Sequence, residues 1–226
     1  MKRKHGLKGL AILVVILTLV MGLASCAEMS PSDVVNAELE GLQDIKDNDS
    51  QFDKGVKMAI KEDDKMSDDE LDEFYQTNII DTGLRDSLVE MICNSKYKVK
   101  DEKIEGDKAT VKVVVDNKKY GDAFLKAGEA NLDGYLQGLV DRAMNGEDVN
   151  DENIIAATMK FFGENLKTAL ETAENGYKRE LTLKLKKGED GWEVSDSEDM
   201  DFEMMDALVG GLGQGLDDLT EIMSEK

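Results

Sequence analysis

Cys26, Cys93 and His5 are the residues of this 226-residue chain whose side chains could act as a thiol nucleophile, an imidazole base or a soft metal ligand. Two of the three sit in an N-terminal stretch with its own logic. Lys2, Arg3, Lys4 and Lys8 come first, Leu10 to Met21 follow with Thr18 as the polar exception, and no acidic residue precedes Glu28. A basic start, an apolar run of about 7 to 15 residues and small residues before a cut describe a secretory signal. The run falls short of the roughly 20 apolar residues a spanning helix needs. Residues 1–25 are therefore expected to be removed, and His5 with them.

The cut site adds a second element. Leu23-Ala24-Ser25-Cys26 resembles the lipobox of bacterial lipoproteins. The resemblance implies that the Cys26 thiol carries a diacylglyceryl group and begins the mature chain. Residues 26–30 would then be a short lipidated tether and 31–226 the domain it holds. The membrane is reached through the lipid on Cys26, on the outer face of the bacterial cytoplasmic membrane, or at the outer membrane where the source has one.

What remains is chemically narrow. With His5 gone and Cys26 acylated, Ser/His/Asp and Cys/His nucleophilic sites and His-ligated zinc are excluded. A single remaining cysteine, Cys93, cannot form an internal disulfide, so stability is expected from packing. Cys93 lies beside an apolar helical stripe and reads as a small core residue. No catalytic residue, cofactor or metal ligand is assigned.

Charge narrows the partners further. The chain carries −21; removal of Lys2, Arg3, Lys4 and Lys8 from 28 basic residues leaves 24 against 49 acidic ones, a net −25. Phosphates repel such a chain, which excludes nucleic acid. An anionic membrane surface is expected to repel it too, so anchoring falls to the lipid, whose two chains bind stably where one would not. The acidic loops Asp47, Asp49, Asp53 and Asp148, Asn150, Glu152 have suggestive oxygen spacing. Neither has the glycine at position six or the glutamate at position twelve of a calcium loop, and both read as solvated connections. Acid–base chemistry by carboxylates and tyrosines stays open, provided one carboxylate is buried in a pocket with a raised pKa.

The elements that would position these groups follow from periodicity. Ser30 and Pro31 open a first helix through Val34, Val35, Leu39, Leu42 and Ile45, expected to reach about Lys46. Phe52, Val56, Ala59 and Ile60 mark a short second helix. Ser67 with Glu70 is a capping box opening a third, which Gly83 breaks or bends before Leu84, Leu88, Met91 and Ile92 continue it. From Lys96 the period becomes 2: Tyr97 and Val99, a turn at Gly106-Asp107, then Ala109, Val111, Val113 and Val115 predict a β-hairpin. Ile104 is out of phase with Tyr97 and Val99, which predicts a bulge. Two antiparallel helices follow, one through Phe124, Leu132 and Leu139, the other through Ile154, Phe162 and Leu166. Gly134 and Gly138 project off the first stripe, either as exposed weak points or as a smooth face for a neighbour. Leu181, Leu183 and Leu185, the turn 188–191, and Trp192 with Val194 make a second hairpin, with Trp192 expected to be buried. A last amphipathic segment runs from Phe202 to Met223. Its Gly211-Leu212-Gly213-Gln214-Gly215 lacks the spacing, preceding strand and basic partner of a nucleotide loop and reads as a close-packed or irregular helix.

The helix start Pro31-Ser32-Asp33-Val34-Val35, the hairpin 104–113 and the ending 183–194 with Trp192 together resemble a bacterial lipoprotein family of uncharacterised role with a nuclear-transport-factor-2-like (cystatin-like) cone fold. The resemblance implies helices packed across a curved antiparallel sheet. The helical pair and the glycine-rich end depart from the minimal cone and leave open whether its pocket is filled. Enzymes of that fold are isomerases and dehydratases working through Asp, Tyr or His, and no such set matches here residue by residue. The expected class is α+β: an antiparallel sheet of about four strands packed by helices, with a helical pair inserted between two hairpins and a C-terminal helix. The expected role is a lipid-anchored, extracytoplasmic, non-catalytic binding or interaction module. The alternatives are a small-pocket isomerase- or dehydratase-like enzyme using Asp/Tyr chemistry, or an acidic divalent-cation-binding surface protein.

Overall fold

The alternation that begins at Lys96 folds into a hairpin. In the computed structural model β1 (Lys96–Glu105) and β2 (Lys108–Lys118) pair antiparallel around Gly106, whose φ of 67° suits the tight turn. The structure describes residues 29–43, 45, 53–54, 56–58, 60, 67–146, 151–189, 191–195 and 198–225. Val99 faces Val113 but Glu102 faces Val111, so β1 absorbs one extra residue between them. That bulge brings Ile104 onto the same face as Tyr97 and Val99, opposite Ala109.

β3 (Asn175–Lys187) pairs with β2, and β4 (Trp192–Val194) with β3, giving a four-stranded antiparallel sheet in chain order. Val111, Val113, Val115, Leu181, Leu183 and Leu185 share one face and are buried. Trp192 is 6% exposed, as its place at the strand end predicts.

Helices cover that inner face. α1 (Pro31–Gln43) starts at Ser30, whose Oγ accepts from the Asp33 N–H at 3.2 Å while Asp33 Oδ2 accepts from the Ser30 N–H at 3.2 Å. It ends at Gln43, with Ile45 in a 3₁₀ turn, short of the expected Lys46. Asp53, Lys54, Val56 to Met58 and Ile60 are helical, with Val56 and Ile60 buried; Phe52 and Ala59 lie outside the described residues. α2 (Asp68–Tyr75) carries the capping box, Glu70 N–H to Ser67 Oγ at 3.4 Å and Ser67 N–H to Glu70 Oε2 at 2.9 Å. It widens into a π-helical turn, Gln76–Ile80, before Gly83 at φ 74° separates it from α3 (Leu84–Cys93). Cys93 is half-buried against the core.

The inserted pair is α4 (Tyr120–Met144) and α5 (Asp151–Thr172). Asn131 bonds Asn165 at 2.8 Å, and Tyr135 bonds Thr158 at 2.8 Å and stacks on Phe161, so the two run antiparallel. No atom lies within 4 Å of a Cβ built on Gly134 or Gly138, and both are exposed. They are open positions, not a packing face.

The last apolar segment is two helices where periodicity suggested one. α6 (Glu198–Leu208) stops at Gly210 and Gly211, at φ 64° and 80°, and α7 (Leu212–Glu225) departs in a new direction. The glycines allow contact between backbones: a Cβ on Gly121 would strike the Gly211 carbonyl, and one on Gly215 would strike the Gly121 carbonyl. α6 thereby packs under β2 and β3, and α7 along α4. Buried residues from Val34 to Leu219 form one contiguous core. Among the described residues no helix is long and apolar enough to cross a membrane.

Candidate functional site

Cys26, the residue assigned chemistry by the sequence, lies outside the described residues, as do Asp47, Asp49, Asp148 and Asn150; the side chain of Glu152 does too. Asp53 is described and is occupied. Its Oδ1 accepts from Tyr75 Oη at 2.7 Å and from Arg85 Nε at 2.8 Å, tying the 53–60 segment to α2 and α3. Burial, and the carboxylate it donates to, push the Tyr75 phenol well above the ordinary tyrosine value. A phenol held protonated in this way is a structural donor rather than a base.

The buried carboxylate that acid–base chemistry would need is Asp206, on α6 and 3% exposed. Burial raises its pKa above the ordinary aspartate value, against the opposing pull of the Gly213 N–H and Arg179. Both oxygens are engaged: Oδ1 accepts from Gly213 N–H at 2.7 Å and Oδ2 from Arg179 Nη1 at 3.0 Å. Asp206 thus fastens the first turn of α7 to β3 across the glycine turn. Asn117 plays a similar part, its Nδ2 donating to the carbonyls of Leu208 at 2.6 Å and Met91 at 3.2 Å. It joins α6 and α3 to the end of β2.

The exposed chemistry is on the other side of the sheet. Strand register places cross-strand neighbours on a common face, and the outer rows read Lys96–Asp116–Lys178, Lys98–Val114–Glu180, Lys103–Thr110–Lys184 and Glu105–Lys108–Lys186–Glu193. Between the second and third rows Lys112 faces Thr182, with Lys100 and Asp101 of the bulge opposite it. Nine lysines stand against five carboxylates, a surplus of four positive charges on a strongly acidic chain. Lys100 and Lys112 share Glu180, each at 3.5 Å, Lys178 meets Asp116 at 3.6 Å, and Lys103 meets Glu105 at 2.6 Å. Lys112 and Lys100 accordingly hold the Glu180 carboxyl below its usual range, as Lys103 does for Glu105. Lys108, Lys184 and Lys186 have no carboxylate at ion-pair distance among the described residues. These three and Lys103 border an open groove of about 400 Å³, whose lining also includes Glu105, Thr110 and Ser195.

Sequence reading missed Arg179–Asp206, Asn117 and the lysine face. The first two join residues 27 and 91 positions apart and leave no local mark. The lysine face did leave one, since Lys184 and Lys186 alternate with Leu183 and Leu185, but a net charge taken over the whole chain hides it.

No protein-family model matches this chain, and no curated protein matches it. Among solved structures, the Bacillus subtilis protein ycdA, provisionally called a lipoprotein, aligns at 17% identity with a TM-score of 0.39. The alignment covers 88% of this chain and 54% of that one, so this chain spans about half of that protein's length. A likeness that loose carries no argument about family, and it does not establish the cone fold that the sequence resembles.

Proposed function

We propose that the chain is a lipid-anchored extracytoplasmic lipoprotein whose domain acts as a non-catalytic binding module. The observation that carries this reading is Leu23-Ala24-Ser25-Cys26 at the end of a signal-like apolar run. The arrangement of charged groups supports the second clause. Asp206 and Asp53 are committed to joining elements, while the unsatisfied capacity lies in exposed lysine amines, which recognise charge by attraction rather than by proton transfer. The test is metabolic labelling with an alkyne fatty acid. Wild-type protein takes the label and fractionates with membranes; Cys26→Ala loses both. Undiminished labelling of the variant contradicts the anchor.

A further inference from the structure

We infer that the lysine-bearing outer face of the sheet is the surface the anchored domain lays against an anionic phospholipid bilayer. The inference rests on the lipid anchor proposed above and adds the orientation that the anchored domain takes. On net charge alone a −25 domain is repelled by such a surface. Headgroups, however, respond to charges within a screening length of about 10 Å at 0.1 M salt, and on this face the balance of those charges is positive.

Solubility alone explains the lysines less well. Lysines on an edge strand guard it against pairing with another sheet, which suits β1. Lys184 and Lys186 lie on β3, whose two edges are paired with β2 and β4. Lys108 and Lys186 even face each other directly, a like-charge pairing that weakens a sheet. The helices pack on the inner face, so these amines point to the outside uncovered.

The anchor attaches at the same end of the sheet. Met29 packs against the core, and the Ser32 N–H donates to Glu102 Oε2 at 2.8 Å, on the helix-covered side of the edge strand β1, one residue before Lys103, whose side chain lies on the other face. Cys26 is three residues before Met29, and a chain reaches at most about 3.6 Å per residue. The lipidated residue therefore lies within about 11 Å of Met29. A surplus of four charges would recruit little protein from solution. On a tether this short the effective concentration is high enough for it to set orientation.

The experiment uses the full-length lipoprotein purified from membranes and placed at low surface density in two kinds of vesicle. One is phosphatidylcholine; the other contains about one-third phosphatidylglycerol. A water-soluble acylating reagent then modifies lysines, and mass spectrometry reads the rate at each. At 0.1 M salt, Lys103, Lys108, Lys184 and Lys186 should react at least about threefold more slowly on the anionic vesicles, and the difference should vanish at about 1 M salt. Lys160 and Lys167, exposed on α5, should react equally on both. Equal rates at the sheet lysines on lipidated protein overturn the orientation alone. Protection on neutral vesicles that grows with surface density also overturns it, and assigns the face to a second copy. An intact mass without the diacylglyceryl group overturns the anchor and this orientation with it.

Discussion

Leu183 and Lys184 are neighbours on β3, yet they belong to surfaces built on opposite rules. Leu183 is 2% exposed and lies in a face of valines and leucines closed by α1 and α6. Lys184 stands in an open row with Thr110 and Lys103. On the inner side Asp206 is tied by Gly213 and Arg179, and Asn117 by two carbonyls. On the outer face Lys108, Lys184 and Lys186 are left without an acidic partner among the described residues. The inner face holds the fold together, and the outer face carries capacity that the fold does not use.

The strongest way to break the inner side is at its rim. Trp192 is 6% exposed with Lys187 Nζ over its ring at 5.7 Å. Trp192→Ala should cost about 3 to 5 kcal/mol in chemical unfolding, and its emission in the native protein should be that of a buried indole. A weaker blow falls where α4 meets the glycine turn. Gly121→Ala puts a methyl group into the Gly211 carbonyl, a backbone atom that cannot rotate away. The expected loss is about 1 to 3 kcal/mol, the usual range for overpacking, and an unchanged midpoint would contradict the close approach of the Gly211 carbonyl to α4.

The smallest effect separates the faces by pH. Asp206 has a raised pKa, so its contribution is fully present below the ordinary aspartate value, near pH 4, and is lost as pH rises through its folded value. Glu180 has a lowered one, through Lys112 and Lys100, so its contribution is present above the ordinary glutamate value and is lost as pH falls through its folded value. Urea midpoints from pH 3 to 7 should therefore change slope in opposite senses in Asp206→Asn and Glu180→Gln. Parallel profiles for the two variants would contradict this division.

Much of this comparison is legible in the sequence where the causes are local. Alternation gave both hairpins their residues, and the phase of Ile104 announced a bulge, which the register places between Val99 and Glu102. Ser67 and Glu70 announced a helix start because the capping box is closed within four residues. The break between α6 and α7 was not legible, since Leu208, Leu212, Leu216 and Leu219 keep helical spacing across it. Only the left-handed conformations of Gly210 and Gly211 turn the chain there. The π-helical turn at Gln76–Ile80 is likewise a matter of backbone hydrogen bonding that the apolar pattern does not encode. For the candidate surface the obstacle was averaging. Its lysines were visible one strand at a time, but only the register of four strands gathers them on one face, against a chain total of −21.

The division of labour between the two faces is tested most directly by urea unfolding of Leu183→Ala and Lys184→Ala side by side. They are adjacent residues on one strand, so chain position and backbone conformation are matched. Leu183→Ala should lose about 2 to 5 kcal/mol, and Lys184→Ala should stay within about 0.5 kcal/mol of wild type. Comparable losses in the two variants would show that the outer face is part of what holds the fold, and would contradict the account.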